Sequence, residues 1–430
     1  MKKNQALLAK IFHAHLILQP GSQLDTASNS YCDLSRLDAC SSASKYSQAR
    51  SYQPSKFPRY YQYEIHWLVL LIIVISQLLV SHVIAQSSTN NLYVGSNSSG
   101  QTTTFTSGTN SYNNTYVGYA SGASNNSLSI INAGTQLTNS SSLIIGVEGA
   151  NNSMTISSGG RVVNNSGVIG SSNSSSNNSV FVTGTGSVWT NSGNLTIGLT
   201  GANNTLTIAN RATVYARSGV IIGSNGILKG NGTLNASVTN NGLLAPGYPT
   251  GKLTINGNVA QSSSGTLQIK VVNSNAYSKL QVNGSVTLAG TLEITPIESS
   301  LSYGEKLTFL NSSGPIKGSF NTVQVDEPYC RGRVQIIGDP QAIVTIAPTS
   351  YTYLAQNQNQ TNVATALDSF IPAISGDELL VATGLDSLTA AQYPAALNAI
   401  MPILYQSLST IAFNIDNAQN QELIQRLWGV

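Results

Sequence analysis

Few residues in this chain could carry catalysis, and their positions decide much of what it can do. The four histidines, His13, His15, His66 and His82, all precede a small-residue cleavage pattern at Val83-Ile84-Ala85. A chain processed after Ala85 keeps no imidazole, which removes Ser-His-Asp and Cys-His catalysis and histidine-ligated metal sites. Cys32 and Cys40 leave with the same segment, so Cys330 remains without a partner for a disulfide, zinc or redox motif. Paired carboxylates would suit glycan cleavage. The candidates are Glu148, the Asp326-Glu327 pair before Pro328, and the Asp377-Glu378 pair. Asp326-Glu327 reads as a solvated turn. Asp377-Glu378 reads as the first turn of a helix, where acids meet the positive end of the dipole. The expectation is a protein with no catalytic residues, no metal and no cofactor.

The composition agrees with that expectation. Of 430 residues 41% are hydrophobic and only 9% charged, whereas a soluble enzyme carries roughly 25% charged residues. Ser, Thr, Asn and Gly fill the difference, as in long β-rich extracellular architectures. The formal charge of +3 is concentrated at the front, where eight of the 20 basic residues lie before residue 85. The chain after residue 85 holds 12 basic and 13 acidic residues. No basic stripe is left for nucleic acid.

The front of the chain reads as a targeting segment. Trp67–Val80 is a short apolar core after a basic stretch, interrupted at Ser76 and Gln77 and followed by the Ala85 pattern. That is the layout of a secretory signal peptide, and it is too broken for a transmembrane anchor of ~20 apolar residues. Residues 1–85 are therefore expected to be an extended leader with cleavage after Ala85.

The elements that must organise the remainder are written in a repeat. The pairs Asn125-Asn126, Asn151-Asn152, Asn177-Asn178 and Asn203-Asn204 recur at a step of 26 residues. Each is followed by an alternating run: Ser127–Ile130, Ser153–Ile156, Ser179–Val182 and Thr205–Ile208. Further along each unit stand Gly134, Gly160, Gly186 and Ala212, then Leu137, Val163, Trp189 and Tyr215. Each unit closes on a triplet ending in Gly, at Gly146, Gly170, Gly198 and Gly223, with earlier copies at Gly95 and Gly118. Leu128/Ile130 and their equivalents lie two residues apart, so they share one face of a strand. One unit buries too little to fold alone, and stacked units build a continuous interior. The prediction is an all-β, right-handed parallel β-helix, with Asn126, Asn152, Asn178 and Asn204 stacked as a hydrogen-bonded ladder at a corner. Equivalent residues then approach to ~4.8 Å, so a charge repeated in every unit would repel itself. Between Gln86 and Leu228 the charged side chains are Glu148, Arg161, Arg211 and Arg217 alone.

Residues 229–348 keep the strand alternation but regain charge, and they read as a more irregular module capping the exposed end of the solenoid. Residues 349–430 shift to helical spacing, at Asn362–Phe370, Asp377–Thr383 and Pro402–Leu427, giving a short α-helical C-terminal segment.

This order of parts resembles a bacterial autotransporter (type V secretion) passenger with a pertactin-like β-helix. Gly184–Gly198 is similar to that family's recurring passenger motif. Gly230-Asn-Gly-Thr-Leu234 with Leu244-Ala-Pro-Gly247 and Leu253-Thr-Ile255 is similar to its C-terminal passenger module, which promotes folding during secretion. Asn362–Asp368 with Tyr393–Leu397 resembles the helical linker to the translocator. The resemblance implies a secreted or surface-exposed passenger, structural or adhesive, exported to the periplasm or outer-membrane surface of a Gram-negative bacterium. Its implied partners are host or neighbouring-cell surface glycans or proteins, and further copies of itself. The family's barrel strands need ~9–11 residues each, and residues 349–430 do not alternate in that way. The barrel is expected to be supplied by another chain, or the chain to be a truncated remnant. The rival from another class is an envelope polysaccharide lyase or hydrolase acting through Glu148 or Asp326/Glu327. The surface tyrosines Tyr112, Tyr116, Tyr119 and Tyr215, with Trp189, are the expected contact residues.

Overall fold

A computed structural model describes residues 90–298, 301–338, 340–371, 376–400 and 403–428, with side chains in the last stretch described for 414–426. These residues belong to one compact unit that begins at Val80. The leader and the cleavage position Ala85 lie outside the described residues.

Each coil lays down three short strands, and until the last coil each strand pairs in parallel with its equivalent in the next. Three faces result. Sheet A passes through ten strands, from Leu92–Val94 to Ile316–Gly318. Sheet B runs from Thr102–Phe105 to Thr322–Val325, and sheet C begins at Thr109–Tyr112. The chain is a parallel β-solenoid, as the alternation predicts. A parallel pair needs a long connection, and the rest of each coil supplies it.

The interior is a set of columns. On sheet B, Leu128, Met154, Val180, Leu206, Leu228, Leu244, Leu267 and Leu292 stand in register and all are buried. The column crosses residue 229 without a break. On sheet A the Gly-ending triplets also align. Val94, Val117, Ile145, Ile169, Ile197 and Ile222 point inward, while Tyr93, Tyr116, Ile144, Val168 and Ile221 point out.

On sheet C the uniform step fails, and the expectation for Trp189 is corrected. The inward column is Leu137, Val162, Trp189 and Val214, not Val163 and Tyr215. The cause is the turn from sheet B to sheet C, which alternates between four and three residues. Asn132–Thr135 and Gly184–Ser187 place their first and third residues at positive φ (Asn132 77°, Gly134 87°, Gly184 89°, Gly186 83°). The shorter turns Ser158–Gly160 and Asn210–Ala212 place their first two there (Ser158 53°, Gly159 87°, Asn210 54°, Arg211 67°). A one-residue change in a strand of period two reverses which face a side chain meets. Trp189 is therefore core rather than contact surface, and its indole N–H donates to Asn164 Oδ1 at 2.7 Å.

The Asn doublets divide the work at the corner between sheets A and B. The first member turns the chain: Asn125, Asn151, Asn177 and Asn203 sit at φ of 58°, 56°, 56° and 57°, a region Asn tolerates better than most residues. The second member is fully buried and stacks. Asn126 N–H and Nδ2 both donate to Asn152 Oδ1 (2.9 and 3.0 Å), Asn152 donates likewise to Asn178 (2.8 and 3.1 Å), and Asn178 to Asn204 (3.0 and 3.1 Å). Gln101 N–H caps one end on Asn126 Oδ1, and Asn204 Nδ2 ends the other on the Ser175 and Gly201 carbonyls.

The Gly closing each triplet makes room for this stack. A Cβ on Gly146, which sits at φ 76°, would lie 2.2 Å from Asn178 Nδ2, and one on Gly170 2.0 Å from Asn204 Nδ2. In the next coil Gly226 aligns with Asn204, and the ladder stops.

At the far end, the strands reverse. Lys306–Ser312 pairs antiparallel with Gln341–Pro348, which pairs antiparallel with Cys330–Ile337. Four helices follow: α1 (Gln358–Phe370), α2 (Gly376–Asp386), α3 (Tyr393–Ile400) and α4 (Ile403–Trp428). Among the described residues no helix is long and apolar enough to cross a membrane, which says nothing of strands.

The Gly–Asn coupling gives a double-mutant prediction. Asn178→Gly leaves two buried donors of Asn152 without an acceptor, at about 1–3 kcal/mol each. Gly146→Ala adds a clash and a strained φ. The double variant should lose less than the two losses combined, by at least about 0.5 kcal/mol, because removing Asn178 clears the space the new methyl needs. Urea unfolding of the four proteins measures this, and strict additivity would refute the coupling.

Candidate functional site

The residues singled out for chemistry are mostly dispersed. Glu148 is exposed at a turn, and Asp377 and Glu378 occupy the first turn of α2. The four histidines lie outside the described residues. Among the described residues no group of three or more His, Cys, Asp or Glu could hold a metal ion. Cys330 is a buried free thiol whose pKa is pushed up to about 11, chiefly by burial and then by the charge of Glu327. It holds little thiolate at neutral pH.

Asp326 does find a carboxylate neighbour, though not Glu327. On the outer face of sheet B, strands Thr291–Pro296 and Thr322–Val325 lie side by side with Glu293 opposite Gln324. The Thr295 hydroxyl stands between the acids, 3.2 Å from Asp326 Oδ2 and 3.5 Å from Glu293 Oε1. Gln324 Nε2 donates to Asp326 Oδ1 at 2.8 Å. Burial raises the pKa of Glu293, a hydrogen bond from Gln268 partly offsets it, and the charge of Asp326 adds to it. Burial and the neighbouring carboxylate both push Glu293 toward its protonated form, the direction a general acid needs. Glu293 was not among the residues singled out by sequence. The signal available was the shared pattern Leu292-x-Ile294 and Val323-x-Val325, whose inward residues place Glu293 and Gln324 on the same outward row.

Aromatic side chains gather at the start of sheet A. Tyr93, Tyr116 and Tyr119 meet pairwise with ring centres 5.2, 5.2 and 5.1 Å apart, and Tyr93 and Tyr119 are each about two-fifths exposed. Burial raises the Tyr116 pKa, with smaller contributions from its two neighbours. Tyr215 is exposed on sheet C, and Tyr112 is half-buried.

The densest polar cluster joins the helices to the solenoid. Asp386, at the end of α2, is fully buried. Arg331 grips it with Nη1 to Oδ2 at 3.0 Å and Nη2 to Oδ1 at 2.6 Å, Arg333 Nε donates to Oδ2, and the Tyr351 hydroxyl donates to Oδ1 at 2.7 Å. Asp368, near the end of α1, accepts from the Tyr351 N–H at 2.8 Å and from the Ser350 hydroxyl. Tyr351, Ala364, Leu385, Tyr393 and Leu397 form a small core of their own behind this clasp. Burial pushes the Tyr351 and Tyr393 hydroxyls far above their usual pKa, so both stay protonated. Arg331 lies 55 residues from Asp386, a separation with no local signature.

The class this fold defines is a parallel β-solenoid closed by a hairpin and helices. No protein-family model matches the chain, and no curated protein matches its sequence.

The clasp predicts a two-stage loss of structure. Asp386→Ala leaves two mostly buried guanidinium groups without their carboxylate, a change that costs about 3–5 kcal/mol at a buried pair. Limited proteolysis should then cut within 351–400 at a protease level that spares the parent, while the far-ultraviolet β signature of the solenoid is retained. Unchanged resistance in that segment would show that the clasp contributes little.

Proposed function

We propose that the chain is a secreted or surface-exposed passenger of autotransporter type, structural or adhesive rather than enzymatic. The observation that supports this best is the stacked, charge-poor solenoid, which presents long outward rows of Ser and Thr and the Tyr93/Tyr116/Tyr119 cluster. A rigid rod of this kind offers many weak, repeated contacts. Half-exposed tyrosines combine an apolar ring with a polar tip, which suits glycan or protein partners on host or neighbouring-cell surfaces. Export through the inner membrane to the periplasm or outer surface, and a barrel contributed by another chain, complete the proposal. They rest on the leader, the passenger motifs and the helical linker.

Beads coated with the full chain should attach to bacterial or host cells or to immobilised glycans. Replacing Tyr93, Tyr116 and Tyr119 together by Ser should reduce attachment at least about fivefold, since aromatic residues dominate many interfaces. A coat that attaches to none of these, nor to itself, overturns the adhesive reading.

A second reading has one specific observation behind it, the Glu293–Asp326 pair. Two neighbouring carboxyl groups, one of them with a raised pKa, would serve glycan cleavage. Release of reducing ends from envelope polysaccharide by the full chain, lost in Glu293→Gln and in Asp326→Asn, would favour it. The same substitution has a stability consequence. A carboxylate whose folded pKa lies above its unfolded value stabilises the fold at low pH and loses that contribution as pH rises through the folded pKa. The parent should therefore lose stability between weakly acidic and neutral pH relative to Glu293→Gln, as followed by thermal unfolding across pH. Parallel pH profiles would mean that Glu293 is not perturbed.

A further inference from the structure

The last coil leaves the solenoid interior partly open. Phe320, Val323, Val325 and Val334 pack against the core yet remain only half-buried. Between the ends of sheets A and B and the strand Cys330–Ile337 lies a cleft of about 580 Å³, within the usual size of a small-molecule site. Leu288, Phe320, Val323, Val334 and Ile336 give it apolar walls, and Arg331 and Arg333 line the same cleft.

The charges here do not balance. Two guanidinium groups share the single carboxylate of Asp386. Arg331 spends both terminal nitrogens on Asp386 and Tyr351, and its buried Nε–H finds no acceptor. Arg333 uses only Nε on Asp386, so among the described residues its two terminal nitrogens have no hydrogen-bond partner. A planar fork with free donors suits a carboxylate or phosphate presented edge-on. A surplus positive charge in a half-buried, apolar setting is costly until an anion arrives.

We propose that this cleft binds a single-headed anionic amphiphile, its carboxylate or phosphate on Arg333 and its alkyl chain along Phe320, Val323, Val334 and Ile336. The inference stands on the cleft alone and does not depend on adhesion or export. Apolar walls without the free fork would take any alkyl chain. The fork without the walls would take any small anion. Their conjunction selects a molecule carrying both, either a free fatty acid or the phosphate ester of a lipid.

Titration calorimetry of the full chain with decanoate, decyl phosphate and decanol tests this. One site per chain is expected for decanoate or decyl phosphate, with decanol at least about tenfold weaker, the share of a charge-assisted hydrogen bond. Tighter binding of decanoate identifies a fatty-acid site, and tighter binding of decyl phosphate a lipid-phosphate site. Arg333→Met keeps the Arg331–Asp386 pair and should weaken the anion at least about tenfold while leaving decanol unchanged. Ile336→Glu, on the cleft wall and outside the clasp, should weaken decanol through the lost apolar contact and the anions at least about tenfold more through added like-charge repulsion, and it carries the test should Arg333→Met fail to fold. Decanol matching decanoate, no binding of either anion, or anion binding untouched by both substitutions would overturn the proposal.

Discussion

Each coil of this solenoid leaves its backbone hydrogen-bonding groups on two open edges, and only the coils above and below can satisfy them. Strand pairing does this along the three faces. At the corners the chain must turn while still buried, and there a peptide group without a partner costs as much as a lost hydrogen bond. The Asn stack answers that difficulty. One side-chain oxygen accepts from both the main chain and the side chain of the preceding coil, so a single residue per turn satisfies two donors. The same stacking explains the chemistry of the whole region. A carboxylate in that position would accept from its neighbour but could not donate onward, and it would lie a strand spacing from its own copies. Only a neutral group that both donates and accepts can repeat.

Where the repeated side chain ends, the restrictions it imposes end too. Gly226 stands in register with Asn204 and cannot continue the stack. In the next coil the corner is filled from the other side of the bend, by Asn240 and then Gln261 at the ends of consecutive sheet A strands. Asn240 Nδ2 donates to Gln261 Oε1 at 3.2 Å, and Gln261 Nε2 reaches three backbone carbonyls. These two amides are not equivalent copies, and neither are the outward rows beside them. Lys229, Lys270 and Glu293 appear in this stretch on strands whose neighbours carry a neutral residue in register, while Lys252 stands beside Lys279 at a single pair of coils. The return of charge after residue 228 accompanies the loss of exact repetition: no charge recurs through a long column, and the solenoid itself continues.

How much of this was legible depended on whether the spacing was constant. The doublets from Asn125 to Asn204 keep one step because the turn variations before them cancel within each coil, and so the A–B corner could be read directly. A second buried amide row, Asn139, Asn164 and Asn191, closes the corner between sheets C and A. The Thr115 hydroxyl donates to Asn139 Oδ1 at 2.6 Å and Asn164 Nδ2 to Asn191 Oδ1 at 2.6 Å. It is hidden in the sequence because the B-to-C turn alternates between four and three residues, so these asparagines fall on no fixed period. The same alternation takes Val163 and Tyr215 out of register with Leu137 and Trp189, and it puts Trp189, expected at the surface, in the core. Alternation at Leu292/Ile294 and Val323/Val325 was visible, but pairing those two runs required knowing that the connection between them had lengthened. The clasp on Asp386 had no sequence signature at all, since its arginines and its aspartate lie on different elements brought together only by the docked helices.

A stack that satisfies every interior coil says nothing about how the last one is to be closed. Continuing in parallel would present one more open edge, a template for unwanted pairing. The chain instead reverses direction, so that Gln341–Pro348 covers the edge of Lys306–Ser312 with antiparallel bonds and Cys330–Ile337 follows outside it. Reversal closes sheet C, but sheets A and B end on the short strands Ile316–Gly318 and Thr322–Val325, and the inward side chains between them are only half covered. Helices cannot extend a strand ladder, so they are attached by side chains: one buried aspartate held by two arginines and a tyrosine. The geometry that lets one carboxylate hold two elements against a strand is also what leaves a guanidinium fork unfilled beside an open apolar wall. Closure of the solenoid and the character of the cleft at its end are therefore two results of the same change in strand direction.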